Sequence, residues 1–281
     1  RKHPKGMDEL QIIDSTTITL FSNLIFKGVG RHPKSGKKKG GIKVHTVGVP
    51  SDIQFTSSAT NDSFMLKPSH LGKGDIIAMD RAYIDYGKFE ELTQKGVIYV
   101  TKMKKSLNYT TTSDTMYQNP DGLMEVRIQD VLFTKKISKE QTIVHNARII
   151  TYADTRKHKL ISLLTNDMDS APEDIIAIYR QRWEIELLFK QIKQNFPLKY
   201  FYGESPNAIK IQIWVTLIAN LLLMVMQRRL KRKWSFSGLA TMVRIALMYY
   251  VDFYSLFNNR EKDWENMAVF DEISPHQLTL F

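Results

Sequence analysis

The segment YRQRWEIELLFKQIKQNF, residues 179–196, is predicted to be a helix with two unlike faces. At the rotation of an α-helix, Tyr179, Arg182, Glu186 and Lys193 fall within an arc of roughly 60°. The neighbouring arc carries a continuous apolar stripe, which is typical of a buried helix side. An ordinary solvated face with one Arg–Glu pair four residues apart would give the same pattern. The rest of the chain therefore has to decide whether this face does chemistry.

Two aspartates stand in apolar surroundings upstream of this helix. Asp14 lies inside IIDSTTI, which is predicted to be a strand, and Asp80 ends the buried strand DIIAMD. An ionised carboxylate in such a place needs a partner or a cation, although Asp80 could simply cap a loop. Meeting with Glu186, the two aspartates would offer only oxygen ligands, which suit Mg²⁺ or Mn²⁺. Two such ions favour phosphoryl transfer.

The chain resembles the DDE transposases of bacterial insertion sequences, in the insertion-sequence-four family. The resemblance rests on Tyr, two residues, Arg, three residues, Glu, six residues and Lys, which positions 179, 182, 186 and 193 match without a gap. The two aspartates precede this pattern in the right order, and DRAY (80–83) and LLTND (163–167) also look like the family. The similarity extends over nearly the whole chain.

This resemblance implies an α/β fold with an RNase H-like catalytic core, a mixed sheet flanked by helices. Asp14, Asp80 and Glu186 would be the catalytic residues and the ligands of Mg²⁺, for which Mn²⁺ would substitute. Tyr179, Arg182 and Lys193 would hold DNA phosphates beside the metals. The reaction implied is hydrolysis of double-stranded DNA at the transposon ends, followed by strand transfer of the 3′ hydroxyl into target DNA by a homodimer. The predicted organisation is the first part of the core in residues 1–103, a β-rich insertion in 104–165, a catalytic helix in 166–200 and a helical region in 201–281.

The composition agrees with a DNA partner. Lys and Arg number 40 against 29 acidic residues, giving a formal net charge of +11, which favours binding to a polyanion. The chain has no cysteine and no signal-peptide pattern at its start, so we expect a cytoplasmic, nucleoid-associated protein. Because it starts with Arg1, we expect a DNA-binding domain upstream. The apolar segment 211–226 is slightly short for a membrane span and carries polar residues on one face, so we predict a buried helix and no membrane partner.

Further basic residues are candidates for DNA backbone contacts, although each cluster could equally be a solvated face. They are Lys37, Lys38, Lys39, Lys43, Lys102, Lys104, Lys105, Arg228, Arg229, Lys231, Arg232 and Lys233.

Several nearby residues are given ordinary roles. Asp75 is predicted to be a turn residue and Asp85 a helix cap, while His45 is predicted to be a sheet residue rather than a ligand. Trp183 is predicted to be a packing residue. The insertion has no tryptophan, so the aromatic residue that would support a flipped-out base is left open.

Two rival functions share these features. One is a metal-dependent nuclease of the same fold that performs no strand transfer. The other is a domesticated DNA-binding protein without catalysis, which the intact carboxylate set argues against.

Overall fold

A computed structural model of the chain describes residues 10–20, 41–47, 52–58, 61–119, 124–136, 142–154, 158–198 and 200–249. These divide into two compact units, with the boundary between Phe189 and Lys190. The first unit holds a mixed sheet, and the second holds helices. The predicted mixed α/β class is confirmed.

The first unit is built on nine strands that form one sheet in the order β3-β2-β1-β4-β5-β9-β8-β7-β6. Strand β1 pairs antiparallel with β2 and parallel with β4, and β4 pairs parallel with β5. Strand β3 pairs antiparallel with β2, and strands β6 to β9 pair antiparallel with one another and join the sheet where β9 pairs with β5. The strands are β1 (Leu10–Thr19), β2 (Gly41–Val47), β3 (Asp52–Ser57), β4 (Ile76–Met79), β5 (Ile98–Lys102), β6 (Thr110–Gln118), β7 (Glu125–Lys136), β8 (Thr142–Asp154) and β9 (Lys159–Thr165).

The helices are α1 (Tyr86–Gln94), α2 (Pro172–Asn195), α3 (Pro206–Arg229) and α4 (Phe236–Tyr249). Asp85 caps α1 by accepting from the N–H groups of Gly87 and Lys88, as predicted. Asp75 accepts from the Gly72 N–H in a turn, which was also predicted. The unit boundary falls inside α2, whose first five turns belong with the sheet.

The two faces of the sheet are covered by different parts of the chain, because successive residues of a strand point to opposite sides. On one face, Ile77 and Met79 pack with Phe89 of α1. On the other face, Ala78 packs with Ile175 and the neighbouring isoleucines at the start of α2. Both faces of β4 are thus buried, which explains its uninterrupted apolar run.

In the second unit, α3 differs from its prediction. Its buried face is mostly apolar (Ile209, Ile213, Leu217, Leu223) and also holds Thr216 and Asn220. The opposite face is apolar and exposed, so the prediction of a buried helix is confirmed for one face of α3 and wrong for the other. By length and composition alone α3 would also cross a membrane, but apolar helices of soluble proteins meet the same criterion. The exposed residues are Ile211, Trp214, Val215, Ile218, Leu222 and Val225.

The attachment of α2 to the sheet gives a direct stability test. Ile185 is 4% exposed and packs on Ile12, whereas Leu187, two residues later, is 55% exposed. We expect Ile185→Ala to lower the free energy of unfolding by about 2–4 kcal/mol, because a buried side chain leaves a cavity. Leu187→Ala should cost less than about 1 kcal/mol. Urea unfolding followed by circular dichroism measures both, and equal losses would contradict this packing.

Candidate active site

The register of two parallel strands brings two of the predicted catalytic residues together. Ile13 of β1 is the partner of Met79 of β4, so Asp14 and Asp80 are the next residues along neighbouring strands. Residues in step on parallel strands project to the same face of the sheet. Asp14 and Asp80 therefore lie side by side on one face, although they are far apart in the sequence.

Helix α2 brings the third carboxylate to the same face. Ile185 and Phe189 pack against Ile12, which shares a face of β1 with the residue two positions later, the first aspartate. Arg182 and Glu186 stand one turn apart on the adjoining side of α2. The apolar seam of the helix thus fixes both charged groups over the middle of β1 and the end of β4.

The three carboxylates surround the guanidinium of Arg182. Its Nη1 lies 2.9 Å from Oδ2 of Asp14 and 4.0 Å from Oδ2 of Asp80. Its Nη2 donates to Oε1 of Glu186 at 2.5 Å. Because the two aspartate distances share one nitrogen, the two oxygens are no further apart than the sum of those distances. The structure therefore brings Asp14, Asp80 and Glu186 together around one cation.

The other oxygen of each aspartate is bound by its own backbone. Oδ1 of Asp14 accepts from the Ser15 N–H at 2.7 Å, and Oδ1 of Asp80 accepts from the Ala82 N–H at 2.9 Å. Asp80 is thus both a cap of the short turn Arg81–Tyr83 and a member of the carboxylate cluster. These bonds hold each side chain with one oxygen turned toward the cation.

Burial sets the electrostatics of the cluster. Asp14 is 9% exposed, and desolvation raises its pKa to about 6, against the lowering effects of the Ser15 N–H and of Arg182. Burial also works to lower the pKa of Arg182, but Tyr179, Asp14 and Glu186 together outweigh it and the pKa is raised. The guanidinium lies 5.3 Å from the ring centroid of Tyr179, a cation–π contact.

The donor set fits a divalent cation in its chemistry. All three side chains offer carboxylate oxygens, which hard cations prefer, and they already converge on a positive charge. No three acidic or histidine side chains in the described part of the chain are close enough to hold a metal ion in this arrangement. The metal-ligand roles of Asp14, Asp80 and Glu186 remain predictions.

A cleft of about 680 Å³ opens beside the cluster in the first unit. Its walls combine cations and aromatic rings, which suits a nucleic acid strand. Trp183 is 51% exposed and lines this cleft, so its prediction as a packing residue is wrong. The residues that line the cleft include Asp80, Arg81, Lys102, Tyr152, Tyr179, Arg180, Arg182 and Trp183.

The other predicted DNA contacts lie in several places. Lys43 donates to both carboxylate oxygens of Asp62 at 3.1 Å. Lys104 and Lys105 follow β5, and Lys105 is exposed. Lys193 is on α2 beyond the boundary, in the second unit. Lys37, Lys38 and Lys39 lie outside the described residues.

A polar network next to Asp14 was not predicted. The Ser15 hydroxyl donates to Asp62 at 2.9 Å. The ring nitrogens of His45 lie 3.2 Å from the Tyr83 hydroxyl and 2.7 Å from the Thr56 hydroxyl, and burial lowers the pKa of His45. His45 is thus a bonded sheet residue, as predicted. Asp62 lies in a turn far from any motif, so its part in this network left no signal in the sequence.

Comparison with known proteins agrees with the resemblance. The transposase DDE domain family matches residues 5–222. A protein named as a transposase from Sinorhizobium fredii is 27% identical over 80% of this chain and 62% of its own length. Proteins named as transposases of insertion sequence elements, from Geobacillus stearothermophilus and Synechocystis, are 24% and 26% identical over 76% and 78% of this chain.

The chain spans 55% and 60% of the lengths of those two further relatives, so it corresponds to a little over half of each of the three. The family match includes Asp14, Asp80 and Glu186, the residues that the fold gathers around Arg182. Since this match covers well over half of the sequence, the chain belongs to the transposase DDE domain family.

Proposed function

We propose that this chain is the catalytic domain of a DNA transposase, which hydrolyses DNA at transposon ends and joins the freed 3′ hydroxyl to target DNA. The observation that carries the proposal is the convergence of Asp14, Asp80 and Glu186 on one cation in a chain of the DDE family. The net charge of +11 adds support, because double-stranded DNA is the substrate proposed.

The strand order supports an RNase H-like core. Strands β3, β2 and β1 are antiparallel neighbours, and β4 and β5 continue the sheet parallel to β1. Two carboxylates come from the central pair β1 and β4, and the third comes from the helix across that pair. Strands β6 to β9 lie in sequence between the second and third carboxylates, where the β-rich insertion is expected.

The carboxylates and the cleft have different proposed roles, metal binding and phosphate binding. Asp14, Asp80 and Glu186 would hold Mg²⁺, or Mn²⁺ in its place, and ions bound there supply an activated water and stabilise the leaving oxygen. The cations of the cleft would bind the phosphates on either side of the scissile bond, with Arg making forked contacts. Tyr179 would add one hydrogen bond to a phosphate.

Strand transfer requires no new chemistry at this site. In the first step the water oxygen bonds to phosphorus and the bond to the 3′ oxygen breaks, leaving a 3′ hydroxyl and a 5′ phosphate. In the second step the oxygen of that hydroxyl bonds to a target phosphorus and gives up its proton, while the bond from that phosphorus to the target 3′ oxygen breaks and leaves a protonated 3′ hydroxyl on the target strand. We further propose a homodimer that holds two ends together, for which the exposed apolar face of α3 offers a contact surface.

The three carboxylates should each be required for cleavage. We expect Asp14→Asn, Asp80→Asn and Glu186→Gln to abolish Mg²⁺-dependent cutting, a loss of at least about a hundredfold, since each would remove a charged oxygen ligand. DNA binding should remain. The substrate is labelled DNA that flanks the gene for this chain, and cleavage is followed on sequencing gels.

Glu184→Gln is the matched control, because Glu184 is exposed on the same helix but outside the cluster. It should cut as the unchanged protein does. Cutting by any of the three cluster variants at the unchanged rate would remove that residue from the catalytic set.

A pre-cut transposon end separates transposition from simple nuclease action. We expect the chain to join such an end to a supercoiled target plasmid, because its 3′ hydroxyl is already free. The same end with a 3′ deoxy terminus should give no joined product. Efficient cutting without any joining would favour the nuclease alternative.

The cleft should set the salt dependence of DNA binding. Arg81→Gln, Lys102→Gln and Arg180→Gln should each lower the slope of log affinity against log salt by about one, because one phosphate contact is lost. Arg127→Gln is the control, since Arg127 pairs with Asp114 on the outer strands. Mobility shifts across a salt series measure the slopes, and an unchanged slope in all three variants would exclude the cleft as the DNA path.

A further inference from the structure

Arg182 contacts all three of the carboxylates that are proposed to hold a catalytic cation. We infer that Arg182 is a positioning residue that holds the three carboxylates together until a divalent cation binds, and that the guanidinium and the cation exclude each other there. On binding of the cation, Arg182 moves into the cleft and takes a DNA phosphate. This inference rests on the proposed function, because it assumes that the cluster binds divalent cations.

The cluster needs a positive charge in every state. Asp14 is buried, and Asp80 and Glu186 have side-chain exposures of only 37% and 35%. Three like charges this close repel one another, and burying one of them without a partner would cost several kcal/mol. Arg182 is 7% exposed and supplies the only cation that touches all three within the described residues. Without it, the carboxylates would separate or take up protons.

The guanidinium uses the same oxygens that a metal would need. Oδ1 of Asp14 and Oδ1 of Asp80 are engaged by backbone N–H groups. The outward oxygens, Oδ2 of both, face Nη1 of Arg182. A hard cation would sit about 2 Å from those oxygens, in the space of the guanidinium. Charge repulsion at low dielectric also opposes joint occupancy.

The third nitrogen of the guanidinium, Nε, indicates that the Arg182 side chain has a second position. Nε is buried and finds no hydrogen-bond partner among the described residues. A buried donor without a partner is destabilising, so the present position does not satisfy the whole guanidinium. Arg182 also lines the cleft, where a phosphate would accept forked bonds from Nε and one Nη. A move of Arg182 from the carboxylates to a phosphate would thus give Nε the hydrogen-bond partner that it lacks in the present position.

Metal affinity without DNA tests the inference, with electron paramagnetic resonance of free Mn²⁺ as the readout. We expect Arg182→Gln to bind Mn²⁺ at least about fivefold more tightly than the unchanged chain, the lower end of the range for coupled binding events. A residue that only orients the carboxylates would give the opposite sign, because its loss would weaken the metal site. Equal or weaker binding by Arg182→Gln overturns the inference.

Two further variants complete the design. Arg148→Gln removes an arginine from an ion pair with Asp130, 3.0 Å long and remote from the site, and should leave Mn²⁺ affinity unchanged. Arg182→Lys keeps the positive charge, but its single nitrogen cannot contact all three carboxylates as the two Nη atoms of Arg182 do. The Mn²⁺ affinity of this variant should therefore lie between those of the unchanged chain and Arg182→Gln. Should Arg182→Gln not fold without Mn²⁺, the lysine variant decides the sign, and affinity at or below the unchanged value overturns the inference.

Stability gives an independent measurement. Without metal, Arg182→Gln should melt at a lower temperature than the unchanged chain. Saturating Mn²⁺ should raise the melting temperature of Arg182→Gln by more than it raises that of the unchanged chain. A larger rise for the unchanged chain than for Arg182→Gln would contradict the exchange of Arg182 for a divalent cation. If neither the unchanged chain nor Arg182→Gln bound Mn²⁺ at all, the metal-dependent part of the proposed function would fail as well. Weaker binding by the variant alone would overturn only the role of Arg182.

Discussion

Three carboxylates that share one face of a sheet repel each other unless a cation stands between them, and in this protein Arg182 is that cation. The contacts at 2.9, 4.0 and 2.5 Å join two neighbouring strands to one helix. Each contact requires a different feature of the fold: the parallel pairing of β1 with β4, the short turn after Met79, and the apolar seam of α2. The ion-pair cluster thus depends on, and also ties together, the central elements of the first unit.

The surrounding structure makes this cluster different from an ordinary salt bridge on an exposed helix. A pair made of Arg182 and Glu186 alone, four residues apart on an exposed helix, would be worth a few tenths of a kcal/mol. Here Ile12, Ile13 and Asp14 are all buried in β1, and backbone N–H groups hold one oxygen of each aspartate. Strands β8 and β9 supply one wall of the cleft, including Tyr152 and Ile161. The strands between the second and third carboxylates therefore shape the approach to the site.

Much of the first unit was predictable because its signals are local. Apolar runs predicted β1 and β4 around Asp14 and Asp80, and the helix motif identified Glu186 as the third carboxylate. Contacts between distant residues were not predictable. The pairing of Lys43 with Asp62 depends on where a turn returns to the sheet, and no spacing reports that. The exposed apolar face of α3 was not predicted, because a helix that is apolar on most sides does not show in its sequence which side is packed.

Arg182 was assigned to DNA phosphate from its motif, and in the structure it contacts carboxylates. Both assignments follow from the same chemistry, because a guanidinium forks equally well onto a carboxylate and onto a phosphate. A buried ion pair gains little net free energy, since desolvation consumes most of the attraction. The proposed exchange requires this small net gain, because a divalent cation and a phosphate acting together would then suffice to displace Arg182. The motif spacing puts Arg182 four residues from Glu186, its ion-pair partner, and beside the ring of Tyr179, which borders the cleft of the proposed phosphate contact.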